Sequence, residues 1–306
     1  MLNFLGRRVS FIILVLLCIV FFTHLGMLMV NNSDDRRANY DLINQTQRAW
    51  DQSQTYLTES TRGNLGYIET SYGLVRVRDI ASEAYINSMG LLLSAMALAT
   101  LVGLVAGGFA ALTKRKMWVL PVLTVTVIGI STPSFFAGLL LRQGEIYYLR
   151  TFGSALVSVA GFGWDYKHML LPVLVLAARP LAYITRAAFM SFNHIMEEDY
   201  IRTAFSKGLT KNQTVSFHAV RNTAIPLLTA IGVSLRFSLS SLPIVEFLFL
   251  WPGMGLSMLE AINQRETALV VTLAALMGLT FLIVNLLLDI SYRIIDPRTR
   301  EGNGSV

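Results

Sequence analysis

The sequence is poor in charged residues, cysteine and histidine, and each shortage excludes a class of protein. Charged residues make up 14% of the 306 residues, against about 25% in ordinary soluble domains. The only cysteine, Cys18, allows neither an internal disulfide nor a cysteine metal cluster. The four histidines are scattered over different segments without the spacing of metal ligands. We therefore expect no disulfide-stapled domain and no resident metal.

The sequence also lacks the common motifs of nucleotide binding and hydrolytic catalysis. No Gly-x4-Gly-Lys-Ser/Thr loop is present, so we do not expect this chain to bind ATP. Neither His-Glu-x-x-His nor Gly-x-Ser-x-Gly occurs, and no paired carboxylates stand out. We therefore expect no catalytic residue and no cofactor in this chain. The net charge of +6 lies mainly in basic residues that flank apolar runs, which is typical of membrane anchors rather than a nucleic-acid surface.

Long apolar runs dominate what remains and predict an all-α, polytopic membrane protein. Hydrophobic residues make up 54% of the chain, and the mean hydropathy is +0.54. A membrane helix needs about 20 mostly apolar residues. Six spans are predicted, at about 9–30, 88–112, 117–141, 168–190, 223–250 and 268–291. The first run is too long for a signal-peptide core and no Ala-x-Ala site follows it, so we expect it to stay uncleaved.

An even number of spans places both termini on one side of the membrane. Basic residues such as Arg7, Lys114 and Arg293 cluster directly at span ends, which favours cytoplasmic N- and C-termini. We expect residues 1–306 to form a single membrane domain. The polar segment 31–85 is interpreted as an extracytoplasmic loop or small folded insertion, with a docking surface or lid as its possible roles.

A second polar segment, 191–222, separates two long apolar spans and is predicted to contain a helix. Glu197 to Asp199 supply acidic residues at its start, where the helix dipole favours them. Gly208 follows Lys207 and is predicted to end the helix. Between them an apolar stripe falls at helical spacing, formed by Tyr200, Ile201, Ala204 and Phe205. Such a helix suits a groove on a soluble partner or, alternatively, the membrane surface.

The run from Asp199 to Ala204, followed by Lys207-Gly208-Leu209, resembles the cytoplasmic coupling ("EAA") loop of permease subunits in bacterial ABC importers of the dipeptide, oligopeptide and nickel class. Arg202-Thr203-Ala204 stands where the general pattern has Glu-Ala-Ala. Other matches, in family order, are Gly63 with Gly66, Gly103 with Gly107, Gly129 with Ser131, Pro133 and Phe135, Glu246 with Trp251 to Gly255, and Asn285 with Asp289 and 296–298. The spacing of four between Gly103 and Gly107 predicts a close approach of two helix backbones. One departure is that no Pro-Gly-Asp follows His24.

This resemblance implies a type I ABC importer permease fold in the bacterial cytoplasmic membrane. It implies half of a translocation pathway for di- or oligopeptides, a homologous second permease, an extracytoplasmic substrate-binding protein, and two ATP-binding subunits that hold ATP and Mg²⁺. Nickel or another small solute is an alternative cargo. A self-contained secondary transporter is the main rival, and a membrane-embedded enzyme is a second. The residues assigned to coupling are Glu198, Asp199, Tyr200, Ile201, Arg202, Thr203, Ala204, Lys207, Gly208 and Leu209.

Charges inside predicted spans are candidates for the pathway, because a charge at the bilayer centre costs at least about 2.5 kcal/mol. Arg179 and Arg236 would line the path and meet an anionic group, or else pair with a neighbouring subunit or extend to the membrane surface. Glu246 is a pathway candidate or a hydrogen-bond anchor for the turn at Trp251. Pro133 is predicted to kink its span and so to serve gating.

Overall fold

The structure, a computed structural model, describes residues 2–32, 42–70, 73–113 and 116–295. The motif at 296–298, the basic pair at 114–115 and the C-terminal six residues lie outside it. The helices are α1 Leu2–Asn32, α2 Leu42–Thr61, α3 Val77–Thr113, α4 Lys116–Ser131, α5 Ser134–Phe152, α6 Tyr166–Met196, α7 Asp199–Ser206, α8 Lys211–Thr214, a π-helical turn Val215–Ala219, α9 Val220–Phe249, α10 Met254–Asn263 and α11 Thr267–Ile295. Strands β1 (Tyr67–Thr70) and β2 (Gly73–Arg76) form an antiparallel hairpin.

Five helices of the described residues are long and apolar enough to cross a membrane. They lie in α1, α3, α6, the π-turn region with α9, and α11. A sixth span results if the bent pair Val119–Ser131 and Ser134–Phe152 counts as one. The prediction of an all-α protein with about six membrane helices is confirmed.

The chain divides into two compact units, the first of which comprises Met1–Met89 and Trp251–Leu287. In this unit α2 packs beside α1, where Nδ1 of buried His24 lies 3.3 Å from the Ser53 hydroxyl oxygen. The Tyr56 hydroxyl lies 3.1 Å from the Thr272 hydroxyl of α11, and burial raises the pKa of Tyr56 above its ordinary value. An apolar core joins residues from α1, the hairpin, α3, α10 and α11, including Met27, Ile68, Val77, Met254 and Leu273.

Within segment 31–85 the described residues form helix and hairpin rather than an open loop. The segment supplies α2, the hairpin and the first turns of α3. The second span was predicted to begin at residue 88, but its helix begins at Val77. This difference arises because the added turns are amphipathic: Ala81 and Ala84 are buried in the core, while polar side chains occupy the other face.

The second unit comprises Gly90–Leu250 and Leu288–Val306. Its centre is the packing of α6 along α9, with α4 and α5 placed against α6. In α3, Gly103 and Gly107 approach α6 closely. A Cβ atom built on Gly107 would overlap the Thr185 carbonyl oxygen and lie 2.7 Å from the Ala188 Cβ. The predicted close approach of helices at these two glycines is confirmed.

The third predicted span, 117–141, is divided into two helices at the proline that was expected to kink it. Helix α4 ends at Ser131, and α5 begins at Ser134 after a bend of 109°. Pro133 occupies the position before α5 with extended backbone, φ −61° and ψ 139°. Proline lacks an N–H and disfavours helical geometry at the preceding residue, so the chain turns here instead of kinking.

Two charged side chains of α5 hold it within the second unit. Arg142 donates a hydrogen bond to the Leu248 carbonyl at 2.8 Å, at the end of α9. Glu145 is buried and accepts hydrogen bonds from the backbone N–H groups of Leu156 and Val157 at 2.7 and 3.1 Å. The sequence analysis identified neither residue. A charged side chain that hydrogen-bonds to the backbone of a distant segment leaves no local pattern in the sequence.

Candidate functional site

Helix α7 lies within the predicted coupling segment, and it begins and ends near the residues that the sequence predicts. Glu198 stands before it in extended conformation, with φ −68° and ψ 147°, and Asp199 is its first residue. Gly208 follows with φ +86°, a left-handed conformation that favours glycine. Its N–H donates to the Phe205 carbonyl at 2.9 Å, while the Leu209 N–H donates to Ala204 at 3.3 Å. The predicted helix and its termination at Gly208 are confirmed.

Specific hydrogen bonds also stabilise the segment after α7. Thr210 and Gln213 form a capping box at the start of α8, in which each side chain accepts from the other residue's backbone N–H. The Lys211 ammonium donates to the Leu112 carbonyl at 2.6 Å, near the end of α3. The capping box is local to the segment, whereas the Lys211 contact connects it to α3.

The apolar stripe of α7 does not all face outward. Ile201 is fully buried and Ala204 is 5% exposed. Both pack within the second unit, where Ile201 shares a core with Ala188 of α6 and Ala219 of the π-helical turn. The expectation that Ile201 and Ala204 would enter a partner's groove is therefore corrected: they fix α7 to its own chain.

The outward face of α7 is polar, and two aromatic side chains border it. Asp199 and Arg202 form an exposed pair at 3.4 Å, a geometry of small energetic value. Tyr200 is 40% and Phe205 42% exposed. The Tyr200 hydroxyl accepts a hydrogen bond from the Asn222 amide at 2.9 Å. Of the assigned coupling residues, the exposed ones are Glu198, Asp199, Tyr200, Arg202, Thr203, Lys207 and Gly208, whereas Leu209 is half-buried.

The candidate pathway arginine of α6 contacts an aromatic residue of α9 that follows the second candidate in the chain. Arg179 of α6 is exposed, and its guanidinium carbon lies 4.4 Å from the centre of the Phe237 ring. Tyr183 meets the same ring edge-on, with centroids 6.3 Å apart. Arg236, the neighbour of Phe237, is half-buried, and its Nε has no hydrogen-bond partner among the described residues.

The other two candidates lie elsewhere in the second unit. Glu246 is fully buried in α9, a position that suits a structural role rather than a side chain open to cargo. Pro133 lies at the 109° bend between α4 and α5. Among the described residues no cluster of three or more His, Cys, Asp or Glu side chains is arranged to hold a metal ion.

The Trp-Pro-Gly turn has an anchor that the sequence reasoning missed. The indole N–H of buried Trp251 donates to the Asn87 carbonyl at 3.1 Å. The Asn87 amide donates to the Pro252 carbonyl at 2.9 Å, and the Met254 N–H donates to the Ser88 hydroxyl at 2.7 Å. The available signal for this anchor was the adjacent polar pair Asn87 and Ser88 at the end of an amphipathic stretch. Their hydrogen-bond partners lie about 165 positions away in the sequence, so the pairing could not be predicted.

Comparison with known proteins agrees with this arrangement. A family model described as "Binding-protein-dependent transport system inner membrane component" matches residues 81–301. The glutathione transport system permease protein GsiC of Escherichia coli K12 is 30% identical over 251 residues, which cover 80% of this chain and 78% of that protein. GsiC of Salmonella choleraesuis SC-B67 is 32% identical over 249 residues, with the same coverage. The chain therefore belongs to the family of binding-protein-dependent transport system inner membrane components and is a permease subunit of an ABC importer.

Proposed function

We propose that this permease pairs with a homologous second permease and forms half of the path for small peptides. Two ATP-binding subunits hold ATP and Mg²⁺ and carry out hydrolysis on the cytoplasmic side, where both termini of this chain also lie. An extracytoplasmic substrate-binding protein delivers the cargo. Peptide cargo is supported by the relatives, which are named for transport of glutathione, itself a small peptide.

The burial of one face of α7 and the exposure of the other are the observation on which this proposal depends most. Ile201 and Ala204 are buried against the permease, while Asp199, Arg202 and Thr203 face outward. An ATP-binding subunit that binds the outward face of α7 therefore moves a helix that is packed against the rest of the permease. We infer that closure of the ATP-binding subunits pulls α7, and through the core at Ala188 pulls α6, so that the path opens alternately to each side.

The path itself is proposed to run beside Arg179 and Arg236. Arg179 is exposed on a helix long and apolar enough to cross the membrane, and an ionisable residue in that setting favours a pathway over lipid. We propose that Pro133 serves gating as the fixed bend between α4 and α5. Glu246, fully buried, serves as a structural anchor.

The proposal is tested by purifying this chain with its second permease and ATP-binding subunits, and reconstituting the complex with its binding protein in proteoliposomes. We expect ATP-dependent uptake of a short peptide and no uptake without ATP. A chain that purifies alone and transports on an ion gradient would contradict the proposal and favour a secondary transporter. Uptake of Ni²⁺ but of no peptide would retain the importer and overturn the cargo.

A further inference from the structure

One face of α6, a helix long and apolar enough to cross a membrane, carries exposed arginines. Between residues 171 and 193 the exposed side chains are Leu174, Arg179, Arg186 and Met190. The last three are spaced by seven and four residues, so they lie on one face of the helix. A second arginine, two turns from Arg179, therefore points the same way.

Helix α9 carries a matching polar face. Thr229, Arg236 and Ser240 have the same spacing of seven and four residues, and the first and last are exposed. The contact of Arg179 with the Phe237 ring places Arg179 against α9, at the residue that follows Arg236. Together the two helices present three arginines and two hydroxyl groups, with the exposed apolar side chains Ile225 and Ile244 at the ends of the α9 face.

These cations have no carboxylate partner within the described part of the chain. No ion pair there joins a carboxylate to any of the three. Glu246, the only acidic residue of α6 and α9, is fully buried. Because guanidinium groups inside a membrane need a counter-charge or water, this face suits a ligand that brings negative charge with it.

The spacing of the arginines limits the kind of ligand. Seven helical residues place the α-carbons of Arg179 and Arg186 about 10 Å apart. An extended peptide covers about 3.5 Å per residue, so the C-terminal carboxylate and the first side chain of a tripeptide have a similar separation. Arginine binds carboxylates with paired hydrogen bonds, which makes it more selective than a point charge.

We propose that this face selects peptide-like cargo with two carboxylates, and that Arg186 binds the second carboxylate. The inference rests on the proposed function as a peptide permease and adds a substrate class to it. Lipid headgroups and a neighbouring permease are the competing partners for Arg186, and the test separates them from cargo.

The test compares uptake of Asp-Ala-Ala and Asn-Ala-Ala, which differ by one charge, by the reconstituted importer. Arg186→Gln is expected to lower uptake of Asp-Ala-Ala about tenfold, as expected for loss of one charge-assisted hydrogen bond. Uptake of Asn-Ala-Ala should stay within about twofold of wild type by the same argument. Arg186→Lys should restore part of the preference. Arg150→Gln, which changes an exposed arginine of α5, is the matched control and should change neither uptake.

Four outcomes overturn the inference. Equal loss of both peptides in Arg186→Gln would assign the residue to the assembly or to lipid, as would dissociation of the second permease. Wild-type uptake of Asn-Ala-Ala without Asp-Ala-Ala would overturn the two-carboxylate cargo and leave the peptide permease intact. ATP-dependent uptake of neither peptide would contradict the proposed function itself.

Discussion

Phe205→Asp is expected to abolish ATP-driven uptake while leaving the chain folded and inserted in the membrane. Phe205 is 42% exposed beside the outward face of α7, where an ATP-binding subunit would cover it. Burying an unpaired carboxylate at this contact costs about 3–5 kcal/mol of binding free energy. This cost weakens binding of the ATP-binding subunit by at least about a hundredfold. The measurement is peptide uptake together with ATP hydrolysis in proteoliposomes, and we expect uptake to vanish and any remaining hydrolysis to be uncoupled.

Two variants of the same helix make this result specific. Phe205→Leu keeps an apolar side chain and should retain most uptake. Ala204→Asp places the same charge one residue earlier, but at a buried position that is 5% exposed, so it should reduce the amount of folded protein. Wild-type uptake by Phe205→Asp would show that this side of α7 meets no partner.

Gly107→Ala is expected to give the largest loss of stability from adding a single methyl group. The new Cβ would overlap the Thr185 carbonyl oxygen and approach the Phe189 backbone nitrogen to 3.0 Å. Backbone atoms cannot move aside as a flexible side chain can, so α3 and α6 must separate. Overpacking of this kind costs about 1–3 kcal/mol. The measurement is the midpoint of thermal unfolding in detergent, with the yield of monodisperse protein.

The neighbouring glycine supplies the control. A Cβ on Gly108 would lie 3.5 Å from the Phe192 ring, an ordinary contact, so Gly108→Ala should unfold close to the wild-type midpoint. Equal midpoints for the two variants would mean that the approach of α3 to α6 at Gly107 is not close.

Much of the helical framework was predictable because long apolar runs and helix-ending signals act locally. The bounds of α7 followed from Glu198, Asp199 and Gly208, and the close helix approach followed from the spacing of Gly103 and Gly107. The start of α3 at Val77 was missed, because an amphipathic stretch that packs on protein looks polar when it is judged as a membrane span.

What escaped prediction depends on contacts between distant parts of the chain. Pro133 was expected to kink one span, and whether proline kinks or ends a helix depends on what the following segment packs against. Here Arg142 and Glu145 fix α5 in place through hydrogen bonds to backbone groups of other segments. Likewise, helical spacing identified the stripe of α7, but only the tertiary packing shows that Ile201, in the core with Ala188, and buried Ala204 face inward.

The same limit applies to the arginine face. Arg179 and Arg236 stood out in the sequence as charges within apolar spans. Arg186 did not, because it lies nearer to the polar connector and forms no motif by itself. Its role becomes testable only when exposure and helical register place it on the face of Arg179.

The central claim is that α7 couples this permease to an ATP-binding subunit, and cysteine crosslinking tests it most directly. Cys18 is the only cysteine, so a Cys18→Ser background lets one new thiol report one position. Ser206→Cys, on the exposed side of α7, is predicted to crosslink to an ATP-binding subunit in membranes of cells that express the whole importer. Leu74→Cys, in the hairpin and 74% exposed at the native leucine, should not. Crosslinking of that subunit to Leu74→Cys but not to Ser206→Cys would contradict the account.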